Sequence, residues 1–376
     1  MPTDAATRWH VPLSDLTVDD ELSETVLEVV RSGWWSMGPR VEEFERQFAT
    51  FCGTGDAIAV ANGTAALHLA LVALGCGPGD EVVVPSLNFV AAANAIAITG
   101  AEPVFCDIVG PEDLNLDPAD VEAAIGPRTK AVLALHYGGF ACDMEALGSL
   151  GLPVVEDAAH APGASVGGRM CGSLGRVGCF SFFANKNLPV GEGGMLVTDD
   201  SELAARLRLL RSHGMTTLTW DRYRGHAAGY DVILPGFNYR LDEVRAAVGL
   251  VQLRRLPQEN ATRARIAARY RKALDGERGL TMPFGGREEE SSHHLAVLLL
   301  PEGADRDAVR GALAERGIQT SVHYPPIHLF SAYLDASRRQ LPRTEAVAGR
   351  LLTLPLYGSM SDEQVEAVIT GLLQAL

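Results

Sequence analysis

From Asp56 onward the chain alternates short, almost wholly apolar runs with longer segments of helical period. DAIAVAN is followed by GTAALHLALVALG, EVVVPSL by FVAAANAIAITG, EPVFCDI by DPADVEAAIG, and KAVLALHY by DMEALGSLG, before PVVEDAA. Strands with no polar face, spaced by helices, predict a mainly parallel sheet buried on both sides. CFSFFAN and GGMLVTD add two further strands, and a helix is expected over residues 201–212. From Leu241 to Leu274 the only proline is Pro257, which predicts one long helix, straight or kinked at that residue, linking two domains. Beyond it the pattern changes: HHLAVLLLP as a strand, DRDAVRGALAERG as an amphipathic helix, IQTSVHYPP as a strand leading to a turn, and SDEQVEAVITGLLQAL as a closing helix. The expected organisation is therefore α/β: a large domain over residues 1–250, with residues 1–30 packing near the smaller domain, and a C-terminal α+β domain over 251–376.

Composition narrows the function classes. A chain of 376 residues that is 47% hydrophobic can bury a large core, and a formal net charge of −15 argues against a general nucleic-acid or anionic-membrane surface. An anionic ligand must then be held by a local site. No apolar run is long enough to span a bilayer and the first residues lack a signal-peptide pattern, so a cytoplasmic protein is expected. Six cysteines without a C-x-x-C pair suggest neither a zinc site nor a disulfide framework. His293 and His294 are adjacent, which on a strand turns them to opposite faces, and they read as structural or surface residues.

In an open α/β sheet, ligands bind at the carboxyl ends of the strands. Four such positions carry chemistry. Gly63-Thr64-Ala65 opens a helix directly after the first strand, where free N–H groups and a hydroxyl suit a phosphate, although a plain helix cap reads equally well. Phe89 follows the second strand and could stack on a planar ring or fill the core. Asp157 ends a fully apolar strand and calls for a cationic partner, with His160 three residues on. Ser181 and Lys186 flank the end of another strand before a glycine-rich turn, SFFANKNLPVGEGG; Lys186 alone reads as an ordinary surface lysine. Together the four match what pyridoxal 5'-phosphate requires: a phosphate cradle, a stacking ring, an acid for the ring nitrogen and an amine for the aldehyde. G-x-G-x-x-G after the first strand, G-x-x-x-x-G-K-[ST] and G-x-S-x-G are all missing.

ANGTAALHLAL, EVVVPSLNFVAAANAI, VVEDAAHAPGA, SFFANKNLPVGEGGMLVT, GFNYRLDEVRAAVGLVQL and YPPIH, in this order, closely resemble the DegT/DnrJ/EryC1/StrS sugar aminotransferases of the aspartate aminotransferase superfamily. The resemblance extends from near Gly33 to near Pro355 and implies fold type I with pyridoxal phosphate. It makes Lys186 the lysine that bonds the aldehyde and Asp157 the partner of the ring nitrogen. Thr64, with the backbone around Gly63 and Ala65 and with Ser181, would hold the phosphate, and Phe89 would stack on the ring. His160 stands where the family often has glutamine near the ring oxygen. Asn238 matches the asparagine that reaches the neighbouring subunit's phosphate, which implies a homodimer with shared sites.

The implied reaction moves an amino group from L-glutamate or L-glutamine to a keto-sugar, nucleotide-linked in most of the family, or to a keto-cyclitol, with Lys186 as general base and acid. Arg222 and Arg224 could meet a diphosphate or the donor carboxylate, or lie on a solvated loop. Two alternatives stand beside transamination: other chemistry on the same cofactor, and a relative that binds it without turnover.

Overall fold

Buried on both faces, the apolar runs pair into one sheet. The computed structural model of the protein describes residues 9–217, 220, 223–225, 229–287, 291–334 and 339–376. The strands are β1 (Asp56–Val60), β2 (Glu81–Pro85), β3 (Glu102–Cys106), β4 (Ile108–Gly110), β5 (Asp113–Leu116), β6 (Thr129–Leu135), β7 (Val154–Asp157), β8 (Ser165–Val166), β9 (Arg169–Met170), β10 (Val177–Ser181) and β11 (Gly194–Thr198). Seven of them form the order β1-β11-β10-β7-β6-β2-β3. Every neighbouring pair is parallel except those made by β11, which runs antiparallel to both β1 and β10.

Alternation along β1 shows how the two faces are used. Ile58 and Val60 join a core roofed by the helices Gly63–Ala73, Ala91–Thr99 and Ser201–Arg211. Ala57 and Ala59 face the opposite core, which holds Phe44 and Phe48 from the helix Pro39–Cys52. That helix starts at Gly38 without a side-chain cap of its own; instead the buried carboxylate of Glu243 accepts the Arg40 and Val41 N–H groups at 3.0 Å each.

The long helix runs unbroken from Glu243 to Leu274, 32 residues including Pro257. Its first half (Ala246, Leu250, Leu253, Leu256) packs in the sheet core, and its second half (Ile266, Tyr270, Leu274) packs in a separate core. The second core includes β12 (Ala296–Leu299) and β13 (Leu351–Leu354), the helices Arg306–Glu315 and Asp362–Ala375, and Val11 from the N-terminal segment. IQTSVHYPP, expected as a strand, makes only isolated bridges, Ile318 with Val11 and Ser321 with Thr353. Its apolar positions serve packing around two prolines, not a ladder. Helices Asp20–Ser32 and Pro39–Cys52 carry no counterpart in the sequence reading.

One buried polar cluster gathers on the central strand, β7. Glu156 sits next to Asp157 on β7, so the two side chains leave on opposite faces. Glu156 accepts N–H groups from Gly172 (2.6 Å), Leu174 (2.7 Å) and Gly175 (2.5 Å), and lies 2.8 Å from His136 Nε2. His136 Nδ1 accepts the Cys142 N–H at 3.1 Å, so Nε2 is the nitrogen that donates. Glu156→Ala strands these donors in the interior, and a loss of about 3–5 kcal/mol is expected in denaturant unfolding of the cofactor-free protein.

Candidate active site

β1, β2, β6, β7 and β10 end on one side of the sheet, and a cavity of about 430 Å³ lies against those ends. Of the nine site residues read from the sequence, seven line it: Gly63, Thr64, Phe89, Asp157, His160, Ser181 and Lys186. Ala65 and Asn238 do not.

The cradle is built by the start of helix Gly63–Ala73. Asn62 caps it, its Oδ1 accepting the Ala65 N–H at 2.8 Å, and its carbonyl accepts the Ala66 N–H at 3.2 Å. The helix-start donors of Gly63 and Thr64 are thereby left for a ligand, whereas the Ala65 N–H expected at a phosphate is already engaged. Ser181 closes the other side, so near that a Cβ on Gly63 would sit 2.7 Å from Ser181 Cβ. Gly63→Ala must push the two walls apart, and the protein is expected to hold pyridoxal phosphate at least roughly tenfold more weakly by fluorescence titration.

Asp157 is buried at the end of β7 and accepts the Ala159 N–H at 3.2 Å. Burial raises its carboxyl above the ordinary range, opposed by that N–H and by the fields of Lys186 and His136. A carboxylate so placed is stabilised by a bound cation, and a protonated pyridine nitrogen is one. Lys186 follows β10, half-buried against the cavity; desolvation lowers its amine to about 8 from 10.5, against the opposing pull of Asp157. At pH 7 about a tenth of such an amine is neutral, far more than for an ordinary lysine. Carbamylation of Lys186 by cyanate in the cofactor-free protein, read by peptide mass spectrometry, is therefore expected to rise through a midpoint near pH 8; a midpoint near 10.5 contradicts the burial account.

Three histidines and a tyrosine wall the amine. His160 Nδ1 accepts the Gly138 N–H at 3.3 Å, which leaves the Nε2 proton to Tyr324 Oη at 2.8 Å. His294 Nε2 is 3.4 Å from Lys186 Nζ, and His160 packs on His294 at 4.5 Å between ring centroids. Burial and the positive field of Lys186 hold both well below the ordinary histidine value, and lower His323 to about 4. All of these imidazoles are neutral at pH 7. Tyr324 also packs 5.8 Å from Phe89, and burial raises its phenol.

His294, His323 and Tyr324 escaped the sequence reading as site residues. His293 and His294 precede β12, and His293 has φ 49°, so strand alternation does not describe them. Both are buried, as structural residues would be, but His294 belongs to the site. The VHYPPIH run was the available signal for the other two.

Asn238 is exposed and bridges Ser212. In the preceding segment, Trp220 and Tyr223 each pack 4.7 Å from Trp34, and Arg224 lies 5.8 Å over the Trp220 ring. Arg222 is outside the described residues. Among the described residues no metal-binding group is found, and no helix is long and apolar enough to cross a membrane.

A mostly parallel sheet with a lysine, a buried acid and a helix-start cradle at its carboxyl edge defines a fold type I transferase site for pyridoxal phosphate. The profile of the DegT/DnrJ/EryC1/StrS aminotransferase family matches residues 17–373, and the chain belongs to that family. It is 44% identical over 371 residues to the spore coat polysaccharide biosynthesis protein SpsC of Bacillus subtilis (strain 168), covering 96% of this chain and 95% of SpsC. Among solved structures it is similar to Spr1654 of Streptococcus pneumoniae in its PMP form (30% identity, 97% of this chain and 99% of that one, TM-score 0.91), a protein also solved in a PLP form. The sugar aminotransferase CalS13 of Micromonospora echinospora is also similar (30% identity, 97% and 100% covered, TM-score 0.89). The protein is thus a pyridoxal phosphate-dependent aminotransferase of the sugar aminotransferase family, working between an amino donor and a keto-sugar acceptor.

Proposed function

We propose that this aminotransferase takes its amino group from L-glutamate or L-glutamine and gives it to the ketone of a nucleotide-linked sugar or a cyclitol, in the cytoplasm, as a homodimer. The observation that carries the reading is that Lys186 lines the same cavity as Asp157 and the Gly63–Ser181 cradle.

Bound there, pyridoxal phosphate supplies an electron sink. The chain supplies the rest. The Gly63 and Thr64 N–H groups with Ser181 Oγ would hold the phosphate, Phe89 would pack on the ring, and Asp157 would favour a protonated ring nitrogen. Lys186, with its amine lowered to about 8, would supply the neutral amine that takes up a proton as general base and returns it as general acid. His160, donating to Tyr324, holds that side of the cavity in a fixed tautomer.

Six buried cysteines, none in a disulfide among the described residues, fit a reducing compartment. Two features support the dimer: Asn238 lies outside its own chain's cavity, and Trp35, Tyr223, Tyr230, Val232 and Ile233 are all exposed. The test is half-reaction spectroscopy. L-glutamate or L-glutamine should convert the bound cofactor to its amine form with one equivalent of 2-oxo acid, and a keto-sugar should then restore it. Release of 2-oxo acid without restoration by any nucleotide-linked keto-sugar or keto-cyclitol would sink the acceptor assignment. For the dimer, inactive Lys186→Ala and Asn238→Ala chains mixed after mild dissociation should regain activity, whereas independent sites should regain none.

A further inference from the structure

We propose that His294 is a positioning residue for Lys186, presenting to its amine an Nε2 lone pair that Asn187 holds in place. The inference rests on the reading of Lys186 as the lysine that bonds the cofactor.

The tautomer follows from an ordered chain of side-chain amides. Asn187 Nδ2 lies 2.8 Å from the carbonyl of Ser292 and 2.9 Å from Asn260 Oδ1. A backbone carbonyl only accepts, so the atom of Asn187 that faces Ser292 is the NH₂ group. Asn260 is oriented the same way, because its Nδ2 donates to the Pro162 carbonyl at 2.9 Å. The remaining end of Asn187 is therefore its oxygen, and it faces His294 Nδ1 at 2.9 Å. That nitrogen must carry the proton, and in a neutral imidazole Nε2 is then a bare acceptor. Lys186 Nζ is 3.4 Å away, long for a hydrogen bond in the cofactor-free site, where such contacts are commonly loose.

The surroundings keep the ring neutral. His294 is buried, and the titratable groups that face it are Lys186, His160, Arg263 and His323, without a carboxylate among them. His160 cannot take over the role, since its Nδ1 accepts from Gly138 and its Nε2 proton goes to Tyr324. His294 thus offers Lys186 an acceptor too weakly basic to remove its proton at neutral pH. It fixes the direction of the amine whenever the lysine is not bonded to cofactor, the part of the cycle in which Lys186 must move a proton.

Two measurements on the full chain test this. In 15N-histidine-labelled, cofactor-free protein at pH 7, the two-bond N–H correlation signal that disappears in His294→Phe should have the Nδ1–H pattern. An Nε2–H or imidazolium pattern overturns the proposal, and this readout stands even if the variant folds poorly, because the pattern can then be assigned with His294→Gln. In steady state, His294→Phe should lower kcat by about 10²-fold, as misplacement of a reacting group does, with the donor KM changed by less than about threefold. A folded His294→Phe protein with wild-type kcat, beside an inactive Lys186→Ala, refutes the positioning role alone. Turnover by Lys186→Ala would instead overturn the underlying reading of the lysine.

Discussion

Lys186→Ala is expected to bind pyridoxal phosphate yet fail to turn over, with kcat reduced by at least about 10⁴-fold. The side chain is asked for two services, and loss of a positioned general base alone removes about 10²–10⁴ in rate while loss of the covalent link adds to it. Binding should persist because the cradle of Gly63, Thr64 and Ser181 and the acid Asp157 are untouched. The cofactor absorbance of the dialysed variant and a single-turnover assay with L-glutamate and L-glutamine check the two halves separately. A variant that still cycles, or one that loses the cofactor altogether, contradicts this division of labour.

Asp157→Asn is expected to separate activity from stability. Replacing the carboxylate by an amide of the same shape leaves the Ala159 N–H an acceptor but removes the charge that favours a protonated ring nitrogen. A fall of roughly 10²–10³-fold in kcat/KM is expected, the size seen when one preorganised electrostatic partner is removed. The sign for folding is opposite. Burial raises the Asp157 carboxyl above its unfolded value, so holding it ionised at neutral pH disfavours the folded cofactor-free protein, and that penalty disappears only as pH falls below the unfolded value. The amide carries no such penalty. Cofactor-free Asp157→Asn should therefore melt no lower than wild type at pH 7, and its advantage should shrink toward pH 3. A variant both inactive and markedly less stable would show that Asp157 is a structural anchor.

Much of this was legible in the sequence because a strand buried on both faces has no room for polar residues. AIAV, VVVP and AVLAL announce themselves, and a carboxylate at the end of such a strand stands out against them. Asp157 stands out for that reason, whereas Lys186 gains its meaning only beside the other strand-end positions. What the sequence hid are contacts made across the fold. The Ala65 N–H looked free until Asn62 turned back to cap it. His294 lies 108 positions from Lys186, and the turn at His293 removes the alternation by which its direction was judged. IQTSVHYPP has the composition of a strand but no long partner, and its work is to bring His323 and Tyr324 to the cavity. Glu156 was overshadowed by its neighbour, although three backbone amides and a histidine converge on it.

The long helix Glu243–Leu274 behaves as a beam of about 48 Å clamped at both ends. Its clamps are the sheet core up to Leu256 and the second core from Ile266 onward. Pro257 sits just past the first clamp, where the missing N–H removes one rung of the hydrogen-bond ladder and softens the beam. The segment of His323 and Tyr324 is tied across that span, Ser321 to Thr353 of the second core and His323 and Tyr324 to Tyr137 and His160 beside the sheet, so it works as a strut that keeps the cavity wall in register with both clamps.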